Sequence, residues 1–239
     1  MSDCPGSDFF LSRETLFIPM KLMESLSYSK NIKYLMDKIF AAIILILTLP
    51  IFIFVGLILK IKGEGIFFLQ ERIGQFEKPF KIFKFTTMPR GSEKLGDITT
   101  TKDARPFKFG MFLRKSKLNE IPQVINILLG EMSFVGPRPL LVKQAAMYSE
   151  EIRKKIYSMR PGITGSGSLY FNKEDELLSK VDDPYKYYSE VIIPKKAELE
   201  VWYFTNWSNL VDLKILLLTA KVLVFGGKTI LHDEHVLRQ

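Results

Sequence analysis

Cysteine is almost missing from this chain. Cys4 is the single one in 239 residues, so no disulfide forms within the chain and nothing demands an oxidising compartment. Histidine is nearly as scarce. His232 and His235, in the segment HDEH, have a spacing reminiscent of metal ligands but read as part of a solvated polar tail. The opening residues MSDCPGSDFFLSRE carry Asp3 and Asp8 and lack the basic-then-apolar order of a secretory signal, so they read as a polar lead-in. Internal repeats and low-complexity tracts are absent too.

What the chain has is positive charge and apolar side chains. Lys and Arg outnumber Asp and Glu by 34 to 26, a net charge of +8 that suits an anionic partner: nucleic acid, phosphorylated metabolites or acidic lipid headgroups. Apolar residues make up 47% of the sequence, enough for one domain with a core and length left for a membrane anchor.

The anchor is easily placed, because residues 39–59, IFAAIILILTLPIFIFVGLIL, are free of charge and long enough to cross a bilayer as a helix. Pro50 lies near the middle, where it removes a backbone hydrogen bond and predicts a kink, with Thr48 placed to satisfy freed backbone groups. Lys33 and Lys38 precede the run and Lys60 and Lys62 follow it, so both ends are expected on the cytoplasmic side. Each half reaches only about 16 Å, roughly half the hydrocarbon thickness. A re-entrant helix-break-helix at Pro50 is therefore expected in preference to a true span.

After Lys62 the composition becomes mixed. FFLQERIG and FKIFKF read as strands. In LRKSKLNEIPQVINILLGEMS, Asn119 is expected to cap a helix from Glu120 to about Leu129, with Pro122 in its first turn and Gly130 closing it. A second helix is expected from Leu140 to Met159. WSNLVDLKILLLTAKVLVFG, with Asp212, Lys214 and Lys221 among apolar stretches, reads as an amphipathic helix on a membrane or a core. The expected organisation is a lead-in (1–30), a re-entrant membrane helix (31–62), a small mainly helical α/β catalytic domain (63–205), and an amphipathic interfacial helix with its tail (206–239).

A helix N-terminus attracts anions, and here it carries Asn119 and Glu120 with Arg114, Lys115 and Lys117 before them and Arg138 after the helix. That is a phosphate-handling composition, although Asn119 as a plain cap and Glu120 as a first-turn acid explain the same residues. Arg138 is held between Pro137 and Pro139 beside Gly136, a rigid setting for a guanidinium that grips phosphate or pairs with a carboxylate. Arg160-Pro161-Gly162-Ile163-Thr164-Gly165 is a second rigid loop, either a diphosphate cradle or a tight connection.

Taken in order, MDKIF, the proline-broken run, FFLQERIG, KPFKIFKF, FLRKSKLNEIPQVINILLGEMSFVGPRP, RPGITG and VDLKILLLT resemble the monotopic phosphoglycosyl transferases of the bacterial sugar transferase family. The resemblance implies an inner-membrane enzyme with its catalytic domain on the cytoplasmic face, at headgroup level. It implies transfer of a sugar phosphate from a UDP-sugar to polyprenyl phosphate, with UMP released and Mg²⁺ near the site. A carboxylate nucleophile serves donor and acceptor in turn. The implied partners are the UDP-sugar, the polyprenyl phosphate, membrane lipid and, as an option, a second copy of the chain. A nucleic-acid partner is not expected, because the aromatic and basic residues surround an apolar membrane segment. By position Glu120 corresponds to the family's glutamate and tentative magnesium ligand, Arg138 to its phosphate-binding arginine, and Lys84, Arg114, Arg160, Gly162 and Thr164 to further phosphate or nucleotide-sugar contacts.

Two departures stand out. The family's nucleophilic aspartate is Asn119 here, and an amide caps a helix well but carries no anionic oxygen with which to form an acyl phosphate. Direct transfer aided by Glu120 as base or alternative nucleophile, a catalytically silent scaffold or regulator, and an introduced substitution all remain open. Thr86 stands where the family usually has arginine. Beyond RPGITG, the segment SGSLYFNKEDELL also differs, which is expected to affect the choice of sugar.

Overall fold

The computed structural model describes residues 20–92 and 104–225. The expected tail with His232 and His235 lies outside the described residues, as does most of the lead-in. The first element, α1 (Met20–Ile61), starts well inside the stretch expected as polar lead-in and runs as one helix through Pro50. No break in the secondary structure appears there. The single bond that proline forfeits is tolerated within the helix, and just before it the Thr48 hydroxyl donates back to the Ile44 carbonyl at 2.7 Å.

The middle and the C-terminal end of α1 pack on the same body. Ala41 joins a core of Phe80, Ile82, Ile127 and Met132, while Val55 and Leu59 join Phe85 and Leu113. Between these anchor points the side chains are open: Ile46 and Leu47 are each 72% exposed.

The two expected strands form as β1 (Phe67–Ile73) and β2 (Pro79–Phe85), an antiparallel pair with Phe67 opposite Phe85 and Glu71 opposite Lys81. Aromatic and β-branched side chains suit this pleated, half-buried surface. The helices α2 (Lys108–Lys115) and α3 (Gln123–Leu129) follow, and Gly130 ends α3 in the left-handed conformation at φ +83°. Buried Asn126 locks α3 to β2. Its amide oxygen accepts from Phe83 N–H at 3.0 Å, and its nitrogen donates to Lys81 O and to Glu131, both at 2.8 Å.

Two short strands were not anticipated. β3 (Ser133–Val135) and β4 (Gly162–Thr164) pair in parallel, and a Cβ on Gly162 would lie 2.2 Å from Gly136 N, so the close approach needs glycine. The single helix expected from Leu140 to Met159 is instead α4 (Val142–Ala145) and α5 (Glu150–Ile156). Ser149 explains the division: its hydroxyl caps α5 at Ile152 N–H, ahead of two first-turn glutamates.

Short helices α6 (Ser166–Tyr170), α7 (Glu174–Leu178) and α8 (Pro184–Tyr187) lead through a π turn into α9 (Ile193–Asn206) and α10 (Asn209–Phe225). Helix α10 packs Val211, Ile215, Leu218 and Val222 on the core, and an acid faces inward with them. Asp212 and Ile215 face inward, whereas Leu210, Leu213 and Leu217 are exposed. Asp212 explains this, because it is the hub of a buried polar cluster: Lys33 Nζ and Tyr203 OH each donate to it at 2.6 Å, and Trp207 Nε1 at 3.3 Å. Lys33 thereby ties α1 to α10.

Candidate functional site

A cavity of about 510 Å³ lies between the β1–β2 hairpin, the turn before α3, the Arg138 loop, α7 and α9. Eight cationic side chains line it, Arg72, Lys84, Arg90, Arg105, Arg114, Lys117, Arg138 and Lys196, against three carboxylates, Glu120, Glu174 and Asp175. Such an excess inside a concave site focuses potential on anions.

Lys84, at the end of β2, donates to Glu120 Oε1 at 3.2 Å. Burial alone would raise the Glu120 carboxyl, but Lys84, Arg138 and Lys117 outweigh it and hold it at about 2. Burial drives Lys84 down to about 8, with Glu120 pulling the other way. For Arg138, burial opposes the charge, yet Glu120 and Glu174 more than offset that and keep the guanidinium above its ordinary value. Glu120 is therefore ionised at neutral pH and only weakly basic.

Asn119 also lines the cavity, but it caps no helix. Lys117 adopts a left-handed conformation at φ 58°, which folds Leu118–Glu120 into a 3-10 turn and moves the helix start to Gln123, with Pro122 in the cap position. The expected cap at Asn119 and start at Glu120 are thus displaced by one turn. The side-chain oxygen of Asn119 is left buried with no hydrogen-bond partner.

Of the other residues singled out from the sequence, Lys84, Arg114 and Arg138 line the cavity, and Arg114 Nε donates to Thr87 Oγ1 at 2.9 Å. Thr86, where arginine was expected, lines it as well. Arg160, Gly162 and Thr164 do not. Arg160 stacks on the Tyr34 ring with its guanidinium carbon 4.0 Å from the centroid, and its backbone N–H donates to Tyr34 OH. Gly162 is spent on the β3–β4 pairing, and Thr164 Oγ1 sits 2.8 Å from Thr219 Oγ1 of α10. The RPGITG loop is therefore a seam between strands and helices, and its place in the structure is behind the cavity.

Sequence reasoning missed Arg72, Glu174, Asp175 and Lys196. Lys196 is almost wholly buried and ion-paired with Glu174, while its ammonium faces the rings of Tyr188 and Phe171 at 5.1 and 5.6 Å. Burial lowers its pKa and Glu174 opposes that. The one available signal was the charged KED stretch at 173–175. The cavity also has a greasy edge. Phe67 and Phe85 line it and cluster with Phe52 of α1, at ring distances of 6.2 and 5.1 Å from Phe52.

Comparison with known proteins matches the family described as bacterial sugar transferase over residues 28–226. The uncharacterized sugar transferase EpsL of Bacillus subtilis (strain 168) is 36% identical over 82% of this chain and 89% of its own length. The UDP-glucose:undecaprenyl-phosphate glucose-1-phosphate transferase of Escherichia coli (strain K12) is 34% identical over 77% of this chain, and this chain spans 38% of that protein's length. A Bacillus subtilis protein described as a putative undecaprenyl-phosphate N-acetylgalactosaminyl 1-phosphate transferase is 36% identical over 57% of this chain and 74% of its own. With a match over most of its length and a cation-lined cavity at the matched motifs, the chain belongs to the bacterial sugar transferase family.

Proposed function

We propose that this protein transfers a sugar 1-phosphate from a UDP-sugar to a polyprenyl phosphate at the cytoplasmic face of the inner membrane. The observation that carries the reading is the double character of the cavity. Its walls hold eight cations for phosphate groups, and its Phe67–Phe85 edge is shared with the apolar helix. A soluble diphosphate donor and a lipid-borne phosphate have reason to meet there.

The membrane placement follows from α1. Its 30–61 segment is long and apolar enough to cross a bilayer, but Lys33 and Tyr34 near its start and Leu59 near its end are held on one domain, and Ile46, Leu47, Ile53 and Phe54 between them are exposed. A segment that dips in and returns fits that arrangement, and the exposed leucines of α10 add a second lipid-facing surface.

The reaction at this site differs from a two-step covalent route at residue 119, because an amide offers no nucleophilic carboxylate oxygen. Glu120, held at about 2, is a poor proton acceptor at neutral pH. A phosphate acceptor, already anionic, needs no base. In a direct displacement one of its oxygens attacks the β-phosphorus of the donor, the bond to the bridging oxygen breaks, and UMP leaves. The task left to the protein is to bring two anions together, which the cations of the cavity serve.

Magnesium belongs to the same proposal. Among the described residues no three His, Cys, Asp or Glu side chains cluster. Mg²⁺ asks for less, one or two protein oxygens and the substrate's own phosphates. Glu120 and the unpartnered oxygen of Asn119 fit that requirement. When bound, the ion would neutralise phosphate charge.

The orphaned Asn119 oxygen also favours a second reading, a dormant site that retains binding without turnover. Membranes bearing the protein, given a panel of UDP-sugars and undecaprenyl phosphate, separate the two by UMP release. Acceptor-dependent UMP from the unaltered chain is expected. No UMP with any donor, together with UMP from Asn119→Asp, overturns native activity and establishes dormancy.

A further inference from the structure

Glu200 of α9 is a buried acid that the transfer chemistry does not use. It is 3% exposed, and among the described residues no ion pair is made to it. A buried carboxylate without a paired cation is expensive, so an apolar side chain would fill the same space at lower cost unless the carboxylate holds something in place.

What it holds is the Arg138 loop. Glu200 Oε1 accepts the backbone N–H of Arg138 at 3.2 Å, and Oε2 accepts the Ser166 hydroxyl at 3.4 Å. Space for it is provided by glycine. A Cβ on Gly167 would stand 2.7 Å from Glu200 Oε1, whereas one on Gly165 would strike Gly136 O at 2.2 Å, so glycine there keeps the Arg138 loop close by. Four residues earlier on α9, Lys196 lines the cavity itself, so one helix offers a cation to the site and an acceptor to the loop behind it.

We propose that Glu200 is a positioning residue: seated in the space left by Gly167, its carboxylate fixes the backbone of Arg138 so that the guanidinium meets the donor's diphosphate. This rests on the reading of Arg138 as a diphosphate contact. The glycine-rich segment after β4 thus cradles an acid of the protein, and the acid braces the arginine. Burial lifts the Glu200 carboxyl to about 7, while Arg138 N–H, Lys196 and Ser166 draw it down. The carboxyl is therefore held by its hydrogen bonds without a fully compensating charge.

UDP, measured calorimetrically against the full chain in lipid nanodiscs, is the probe. Arg138→Ala should weaken UDP about tenfold, the scale of one charge-assisted contact, and Glu200→Leu should match it. Glu200→Gln keeps an acceptor for the Arg138 N–H and should stay within about twofold of the parent. The double variant Arg138→Ala/Glu200→Leu should bind no more weakly than Arg138→Ala alone, since both act through one guanidinium. Gly167→Ala, which pushes on the carboxylate from the other side, should weaken UDP by about threefold or more and decides the matter if Glu200→Leu fails to fold. Parent-like binding by Glu200→Leu or Gly167→Ala, with Arg138→Ala weakened, overturns the positioning role alone. Parent-like binding by Arg138→Ala overturns the diphosphate reading and the positioning role with it.

Discussion

Two lysine–carboxylate pairs in this molecule use the same residue types to opposite ends. Around Asp212, Lys33, Tyr203 and Trp207 all point at one carboxylate, and its acceptors are matched by donors. Around Glu120, eight cations face three acids, and the Asn119 oxygen has no partner at all. A cluster whose groups satisfy one another holds helices together. One with charge left over is waiting for a ligand.

The sharpest way to break that comparison is to remove the hub of the satisfied cluster. Asp212→Ala takes away the nearer carboxylate of the buried Lys33 ammonium and leaves it only Asp37 at 3.8 Å, so the loss of this partner of a buried pair should cost about 3 kcal/mol or a little more. Denaturant unfolding in detergent micelles should show it. A change under about 1 kcal/mol would mean that water reaches Lys33 and that the cluster is no structural clasp.

The next largest effect concerns the acids on either side of Arg138, because their pKa values move in opposite directions. Glu200 is lifted to about 7 by burial, so between its ordinary value near 4.5 and 7 the unfolded chain has released a proton that the folded chain still holds. Stability falls as pH rises through that window, by about 3 kcal/mol in all, and levels above it. Glu120, held at about 2 by Lys84 and Arg138 against its burial, does the reverse: its contribution is whole above 4.5 and is lost as pH falls towards 2. Melting temperatures taken from pH 4 to pH 8 should therefore decline less steeply for Glu200→Gln than for the parent. Parallel curves would show that Glu200 titrates near its ordinary value.

These partners explain how much of the site could be read beforehand. The β1–β2 hairpin, Glu120, Arg138 and Lys84 were legible because local pattern and motif order fixed them. Lys196 and Glu174 were not, since they come from distant segments that meet where α9 packs on α6 and Lys196 pairs with Glu174, and Arg72 sits on the legible strand β1 with no local signal to tell it from a surface arginine. The cap expected at Asn119 failed for a local reason, the left-handed turn at Lys117, which no propensity favours in a lysine. At Pro50 the helical hydrogen-bonding runs on, since one proline costs a helix a single bond.

Glu120→Gln sharpens the comparison from the other side. A cavity with cations to spare can lose an acid, which Lys33 and its neighbours cannot do around Asp212. In the absence of divalent cations the change frees Lys84 for a phosphate oxygen, and UDP should bind about tenfold more tightly. Weaker binding in the same buffer would assign Glu120 a direct contact with the nucleotide.

The smallest effect belongs to Arg160, which the sequence places among the phosphate contacts and the structure places on Tyr34. Its guanidinium stacks on a ring of α1, two of its nitrogens are buried without partners, and it does not line the cavity. Arg160→Ala should cost about 1 kcal/mol of stability, the worth of a cation–π contact less the relief of its two unpartnered nitrogens, and leave UDP affinity within about twofold of the parent. An Arg160→Ala protein as stable as its parent but tenfold weaker for UDP would return the RPGITG loop to the phosphate site. The division between the satisfied Asp212 cluster and the cation-lined cavity would then be drawn in the wrong place.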